Sequence, residues 1–490
     1  MKWRDKIVQR IHRWLKLAPY TAPGRLEAII RESSTEELEL MADRLWYRGN
    51  ADELRQFYNS YQYDSAGRSR FWAAVPPGAD VRKIHSGLPG NMVDTLAALV
   101  LSDYDGLQIE QAEHWAELEA ATDFGAVLDT AVRETLITGD GAFKLSWDTQ
   151  LSPHPILSFV PADHISYHPI GDAIAGISFF SDHRCKDATY QLEERYTRGR
   201  ISYILRDRDS RPIPLSTVPE LAGLKDIALP ENMLAAVPLR FFGGGAHRPG
   251  RGKSIFAHKS DAFDALDEII SQWVDAVRAG RVQKYIPNTM IPRDENTGRL
   301  LPVDSFGTNF IQISGSRDEG TADRIESVQP EIRYEAFLSS YTALLDMCLQ
   351  GVLSPATLGI NISAEASGES QRQRKDITGF TRNTITGVLE KVIPAVAALL
   401  LQADDWLNGR PIGSYEPEIS FGEYAAPDFS TRVQTVAAAA SAGIMSVRAQ
   451  VEQLWGGSKD AEWIDAEVER IQAEQGTAAI TPAGGKDDLP

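Results

Sequence analysis

The 490-residue sequence predicts an α+β protein, mainly helical and elongated. Three observations predict it. Long segments repeat their apolar residues at the three-and-four spacing of a helix with one buried face. One block, Ala142 to Arg206, breaks instead into short β-branched and aromatic runs split by turns. Between two of the helical segments stands a polar break, Ser363-Ala-Glu-Ala-Ser-Gly-Glu-Ser-Gln-Arg-Gln-Arg-Lys375, which ends in a cluster of cations.

Taken in order, residues 1–18 are a basic amphipathic segment. Trp3, Ile7, Ile11, Trp14 and Leu15 share one face, and Lys2, Arg4, Lys6, Arg10, Arg13 and Lys16 cover much of the rest. Such a segment suits a membrane surface, an acidic partner, or the protein's own body. Residues 25–60 read as helices, Leu26 to Ile30 and then Ser34 to Tyr47 with Ser33 or Ser34 as cap. Residues 64–90 are rich in Gly, Pro and Arg and read as an exposed loop. Asn91 to Leu101 is an apolar helix. The turn Asp103-Tyr-Asp-Gly106 lacks an oxygen ligand at Leu107, so it reads as a plain turn rather than a calcium loop. Residues 111–138 return to helix.

The runs Phe143–Trp147, Ile156–Val160, Ile174–Phe180, Tyr190–Tyr196 and Ile201–Leu205 predict an antiparallel sheet. Residues 207–253 are Pro- and Gly-rich. Ser254 to Tyr285 is the longest helical signal, with Phe263, Leu266, Ile269, Ile270, Trp273, Val274 and Val277 in one stripe. Asp261, Asp264, Glu268 and Asp275 fall within a sector of about 60° on the other side, an acid line expected at the surface. Short strand-like pieces, Asn309 to Ile313 among them, occupy residues 286–330. A helix follows Pro330, its stripe formed by Phe337, Tyr341, Leu344, Leu345, Cys348, Leu349 and Val352. After the break, Phe380, Ile385, Val388, Leu389, Val392, Ile393, Val396, Leu399 and Leu400 mark another helix, with a kink expected at Pro394. A small sheet-like stretch follows at Ile419–Tyr424. Asp428 caps a helix through Ala442, Ser446 caps the next, which ends at Trp455-Gly-Gly457, and Asp460 to Glu474 forms the last. Residues 476–490 have a disordered composition.

The length suits two to four domains or one elongated subunit. Hydrophobic content of 43% and charged content of 24% are ordinary for a globular chain. The net charge of −18 argues against a general nucleic-acid binder, though not against a surface past which DNA slides. Cys185 and Cys348 are far apart and form no CxxC, so neither a disulfide framework nor a zinc site is predicted, and the compartment reads as reducing. Cys348 lies on an apolar stripe and is expected in the core. No apolar run approaches the ~18 residues of a membrane span, and no secretory signal is visible.

Chemistry is mostly absent from the sequence. Gly250-Arg-Gly-Lys-Ser254 invites a phosphate-loop reading, but the Walker pattern needs glycine at position 247, which is His. A glycine turn followed by a helix capped at Ser254 accounts for the residues. His164 and His168, with His154 and His183, lack carboxylates at metal-binding spacing. Asp404-Asp405 and Glu193-Glu194 are adjacent pairs that do not share a helical face, and solvated charge is the default. No catalytic motif is present. No cofactor, no metal and no enzymatic activity are expected.

The order of parts is more telling. A helix-and-sheet body leads into a long helix opened by Gly252-Lys-Ser254, then a turn-rich insert, a second long helix and the elbow Glu365-Ala-Ser-Gly-Glu-Ser-Gln-Arg372. A tail follows with Ala442-Gly-Ile-Met-Ser446 and Ala461-Glu-Trp-Ile-Asp-Ala-Glu-Val-Glu-Arg470. This order resembles the portal proteins (head-to-tail connectors) of long-tailed bacteriophages across most of the chain. The resemblance implies wing, stem, clip and crown regions and a homo-oligomeric ring, typically twelve-fold, at one capsid vertex of the virion. Double-stranded DNA passes through the ring in packaging and ejection. Residues 1–253 would be the N-terminal part of the wing, 254–285 the first stem helix, 286–330 the clip, and 331–352 the second stem helix. Residues 353–375 would hold the tunnel loop, 376–428 the wing's return helix, and 429–475 the crown, before a tail at 476–490. Implied partners are the terminase large subunit, head-completion or adaptor proteins, and the major capsid and scaffolding proteins. Assembly would occur in host cytoplasm, with no stable membrane association. Within the tunnel loop, Ser363, Glu365, Ser367, Gly368, Glu369, Ser370, Arg372, Arg374 and Lys375 would face the channel. Arg372, Arg374 and Lys375 would contact either DNA or a neighbour's acid line, for example Asp264 or Glu268. Another structural virion protein and an ATP-dependent packaging enzyme are the alternatives.

Overall fold

Helix α1 (Thr35–Arg48) starts with Glu36 and Glu37 and ends on Arg48. Residues 35–61, 70–73, 81–243 (except 105, 149, 172, 186 and 187), 249–280, 283–287, 297, 309–313, 326–328, 331–360, 368–421 (except 420), 429–456, 459 and 461–478 are described by this computed structural model. The basic segment 1–18, Leu26 to Ile30 and residues 479–490 lie outside them. The chain is a mixture of helix and sheet in two units, residues 1–422 and 423–490.

In the first unit α1 is followed by α2 (Ala51–Tyr61), α3 (Leu88–Leu101), α4 (Ala112–Thr122) and α5 (Phe124–Thr138). The single span expected at 111–138 is two helices, because Asp123 takes a left-handed conformation, φ 48°, and stops the ladder. Their apolar stripes bury Leu45, Trp46, Met92, Leu96, Leu128, Val132 and Leu136. The described parts of the predicted exposed loop at 64–90 are mostly covered: Trp72 is fully buried, though Arg82 is exposed.

The predicted sheet is two sheets. In the first, β1 (Asp140–Ser146) lies between β2 (Ile156–Pro161) and β9 (Ala236–Arg240), and it sends Phe143 and Leu145 into the core. The second has the order β3 (Ile165–Ile170), β4 (Ala173–Cys185), β5 (Ala188–Thr197), β6 (Arg200–Arg206) and β7 (Pro212–Ile213), with β8 (Ile227–Ala228) also on β6. Every pairing in both sheets is antiparallel, as expected. Arg198-Gly199 closes the β5–β6 hairpin, and Gly199 supplies the positive φ, 76°, that a two-residue loop needs.

The long helical signal is shorter than its periodicity. Helix α6 runs Ser260–Ala279, not from Ser254 to Tyr285. The hydroxyl of Ser254 accepts from the Phe256 N–H inside a turn, and His258 at φ 66° keeps that turn from joining the helix. Gly280 ends it where a Cβ would lie 2.7 Å from Ile332. In the insert, β10 (Gln283–Pro287) pairs parallel with β11 (Asn309–Ile313) and antiparallel with β12 (Glu326–Val328). Helix α7 (Tyr334–Leu349) follows, and then α8 (Gly368–Leu407).

Helix α8 carries Pro394 inside its length and continues helically on both sides. By length and composition residues 377–407 could cross a membrane, which the interrupted runs of the sequence conceal. Much of its apolar stripe lies instead in the core: Ile385, Leu389, Ile393, Leu400 and Leu401 are all fully buried, whereas Phe380, expected on the same stripe, is 72% exposed. In the second unit, α9 (Phe429–Ser441), α10 (Val447–Trp455) and α11 (Ala461–Ala478) enclose Val436, Val451 and Ile464. Ser446 caps α10 through its hydroxyl and the Ala449 N–H, as its place in the sequence predicts.

Candidate functional site

The acid line of α6 is divided by a strap of the same chain. Asp264 is buried and accepts the backbone N–H groups of Phe71 (2.8 Å) and Trp72 (3.1 Å). Burial raises its carboxyl above the ordinary range despite those two bonds. Asp267, fully buried, accepts from the Ser86 N–H at 2.8 Å, Trp72 Nε1 at 3.1 Å and His85 Nδ1 at 2.7 Å. Ser271 accepts from the Ile84 N–H at 2.9 Å. These three side chains recur at helical spacing and hold residues 71–72 and 84–86 along the helix. Asp261 stays exposed against Arg70, Glu268 accepts from Gln272, and Asp275 is half-buried. The expected surface line is therefore corrected at Asp264, which is not available to a neighbouring subunit. Asp267 and Ser271 carry the anchoring and were not singled out from the sequence, although their spacing from Asp264 places them on its face.

Helices α6 and α7 pair as an arm. Trp273 and Phe337 stack with ring centroids 6.1 Å apart and planes 6° from parallel. At the other end Lys259 Nζ donates to the carbonyls of Gln350 (2.8 Å) and Met347 (3.5 Å), a cation on the carbonyl end of α7. Burial lowers that ammonium's pKa. No residue from Gln272 to Ala279 is buried, and none from Glu331 to Leu344. Val277, Tyr334 and Leu338 are 52%, 59% and 49% exposed. The distal half of the arm thus rests on its own two helices.

The polar break is partly helical. Ser363, Glu365 and Ser367 lie outside the described residues. Gly368, Glu369, Ser370, Arg372, Arg374 and Lys375 have helical backbone at the start of α8, where the sequence suggested loop. Gln, Arg, Lys and Glu are good helix formers, and only Gly368 opposes them. The base of the break is pinned. Thr378 Oγ1 accepts from the Ser354 N–H at 2.9 Å and lies 2.9 Å from Thr357 Oγ1, which is 2.9 Å from Ser354 Oγ. Beside this hydroxyl knot is a recess of about 340 Å³ lined by Asp346, Met347, Leu353, Pro355 and Ile377.

The suspected chemical motifs resolve into structure. In Gly250–Ser254, Asp140 already occupies the place of an anion: Gly252 N–H and Arg251 Nε donate to its Oδ2 at 2.7 and 2.9 Å. Asp404 and Asp405 are buried, not solvated. Asp404 meets His114 (2.9 Å), His154 (3.0 Å) and Arg410, while Asp405 accepts from Tyr415 (2.6 Å) and Arg410 (3.0 Å). Burial works to raise the Asp404 carboxyl, but the hydrogen bonds of His154 and His114 bring it below the ordinary value. Glu193 is likewise buried, under Arg206, Arg195 and Ser178, and Glu194 pairs with Lys144. His168 Nε2 lies 2.7 Å from Ser178 Oγ, and burial lowers its pKa. Among the described residues no group of three His, Cys, Asp or Glu could hold a metal ion.

No family model matches the chain, and no curated protein matches it. Solved structures similar to it include a chain in the neck of a native gene transfer agent particle computed with C12 symmetry, at 12% identity and TM-score 0.38, covering 76% of this chain and 90% of that one. A chain in the neck of an empty particle, computed with C6 symmetry, is 13% identical at TM-score 0.37, with coverages of 75% and 90%. A chain of the native gene transfer agent virion is 12% identical at TM-score 0.36, with coverages of 73% and 87%. Similarity at this level carries no inference about the role of this chain.

Proposed function

We propose that this chain is the subunit of a phage portal: a ring at one capsid vertex through which double-stranded DNA is packaged and ejected. The observation that carries the reading is the α6–α7 arm. Its distal half buries no residue, yet it presents Trp273, Val277, Tyr334, Phe337 and Leu338. Amphipathic helices are stable when their apolar face is covered, and arms set side by side around a ring cover one another. In this reading the arm is the stem, the β10–β12 insert is the clip that docks the terminase large subunit and the head-completion proteins, and α9–α11 form the crown. Residues 363–375 lie toward the channel. The acidic balance of the chain keeps DNA from sticking, and the glycine turn at 250–254, filled by Asp140, offers no phosphate cradle for a motor.

Negative-stain microscopy of the purified chain tests this. Closed rings with a central hole, together with no ATP turnover, are expected. Monomers alone across salt and protein concentration would overturn the proposal. Deleting residues 363–370 is expected to leave rings intact while lowering DNA packaging. Loss of rings on that deletion would make the break a structural element instead.

A further inference from the structure

The stacked pair Trp273–Phe337 marks the line along which α6 and α7 face each other. Counting about 100° per residue, Arg278 stands about 140° from Trp273. Glu335 and Asp346 stand about 160° and 180° from Phe337. These charges therefore point off opposite edges of the arm. On the α6 edge, Asp264, Asp267 and Ser271 are covered by the chain's own strap, which brings Arg70, Lys83 and the exposed Arg82 to that side. Asp275 and Glu268 flank the edge at about 200° and 220°, and Glu268 is engaged with Gln272. Beyond the strap, Arg278 is exposed. The α7 edge exposes Glu335 and Asp346, with Leu338 and Tyr334 beside them.

The level of the charges matches as well as their sign. Gly280 abuts Ile332, so Arg278 and Glu335 lie at the same end of the arm. In a ring related by rotation, neighbours stand at the same height, and residues of equal height meet. A contact between unlike edges of identical copies is heterologous and closes when the rotation fits. A two-fold contact through one edge would set Arg278 near Arg278.

We propose that Arg278 of one copy pairs with Glu335 of the next, and that this contact covers Leu338 beside Glu335 and sets the head-to-tail direction of the ring. The inference rests on the ring reading above and names the surfaces that build it. Full-length chains carrying Arg278→Glu, Glu335→Arg or both are compared with the wild type by mass photometry at low salt, after far-UV circular dichroism has shown equal helicity. Each single reversal is expected to raise the concentration for half-assembly about tenfold, and the double reversal to return it to near the wild-type value. Single variants that assemble like the wild type, or a double variant that stays as impaired as the singles, would overturn the pairing while leaving rings in place. A wild type that never assembles would instead overturn the ring reading, and the pairing with it.

Discussion

Replacing Asp267 by alanine removes the acceptor of three donors at once. Ser86 N–H, Trp72 Nε1 and His85 Nδ1 all end on this one carboxylate, which is fully buried. Moving the His85 proton to Nε2 in the other tautomer gives no relief, because that nitrogen is itself buried without a hydrogen-bond partner. Counted from Ser86 N–H and Trp72 Nε1 alone, each unsatisfied buried donor costs about 1–3 kcal/mol. The strap should therefore open more easily by roughly 2–5 kcal/mol, or about 30-fold to a few thousand-fold in its closed-to-open ratio. Amide hydrogen exchange at residues 84–86 reads that ratio directly. Asp261→Ala is the control, since that acid is 82% exposed beside Arg70 and such pairs contribute at most about 1 kcal/mol. Exchange at 84–86 that stays within about threefold of wild type in Asp267→Ala, a change of under 1 kcal/mol, would refute the anchoring.

The Glu193 carboxyl is raised by burial, but hydrogen bonds from Arg206, Arg195 and Ser178 outweigh that and hold it below its ordinary value of 4.5. Its folded-state pKa is thus depressed, so its contribution is complete above that value and is lost as pH falls further. The urea midpoint of the wild type should drop below pH 4.5 more steeply than that of Glu193→Gln, and parallel profiles would contradict the assignment. At Gly252, a Cβ would lie 1.9 Å from the Gly139 carbonyl oxygen. Gly252→Ala should lose roughly 2–4 kcal/mol by overpacking against backbone, read as a lower urea midpoint. Gly223→Ala, which meets no atom within 4 Å, should change little, and equal midpoints for the two would count against the contact. Thr378→Val leaves the Ser354 N–H without its acceptor, which costs about 1–3 kcal/mol. Faster exchange at Ser354 is expected, and unchanged exchange would show that the knot does not hold the turn.

Local signals were legible in the sequence, and distant ones were not. Ser446 could be named as a cap because a cap needs only the next three residues. The runs that became β1, β2, β4, β5 and β6 showed their β-branched and aromatic composition between turns, and the apolar spine of α6 showed its period. The fate of an acid depends on what lies across from it. Asp264 finds its donors 192 and 193 residues earlier in the chain, and Asp404 finds its imidazoles 290 and 250 residues away. Nothing in the neighbourhood of either residue announces such partners, so both looked like surface charge. Adjacent Asp404 and Asp405 do point to different sides, as helical geometry requires, but both sides are lined. The ends of α6 were overread for a related reason. Ile255 and Phe256 continue its apolar period while belonging to a turn.

The contact between Gly139 and Gly252 has a consequence for how such a chain can vary. The backbone enters β1 beside Gly139 and comes back at Gly252, with Phe241 N–H on the Gly139 carbonyl and Ile255 N–H on that of Leu136. Both sheets hang between these touching points like a room with a single doorway. Arg251, next to Gly252, also donates to the carbonyls of Ala162 and Ile165, so the start of β3 is tied to the same point. A substitution at this one point would therefore disturb the entry to β1, the return from the sheets and the approach to α6 together.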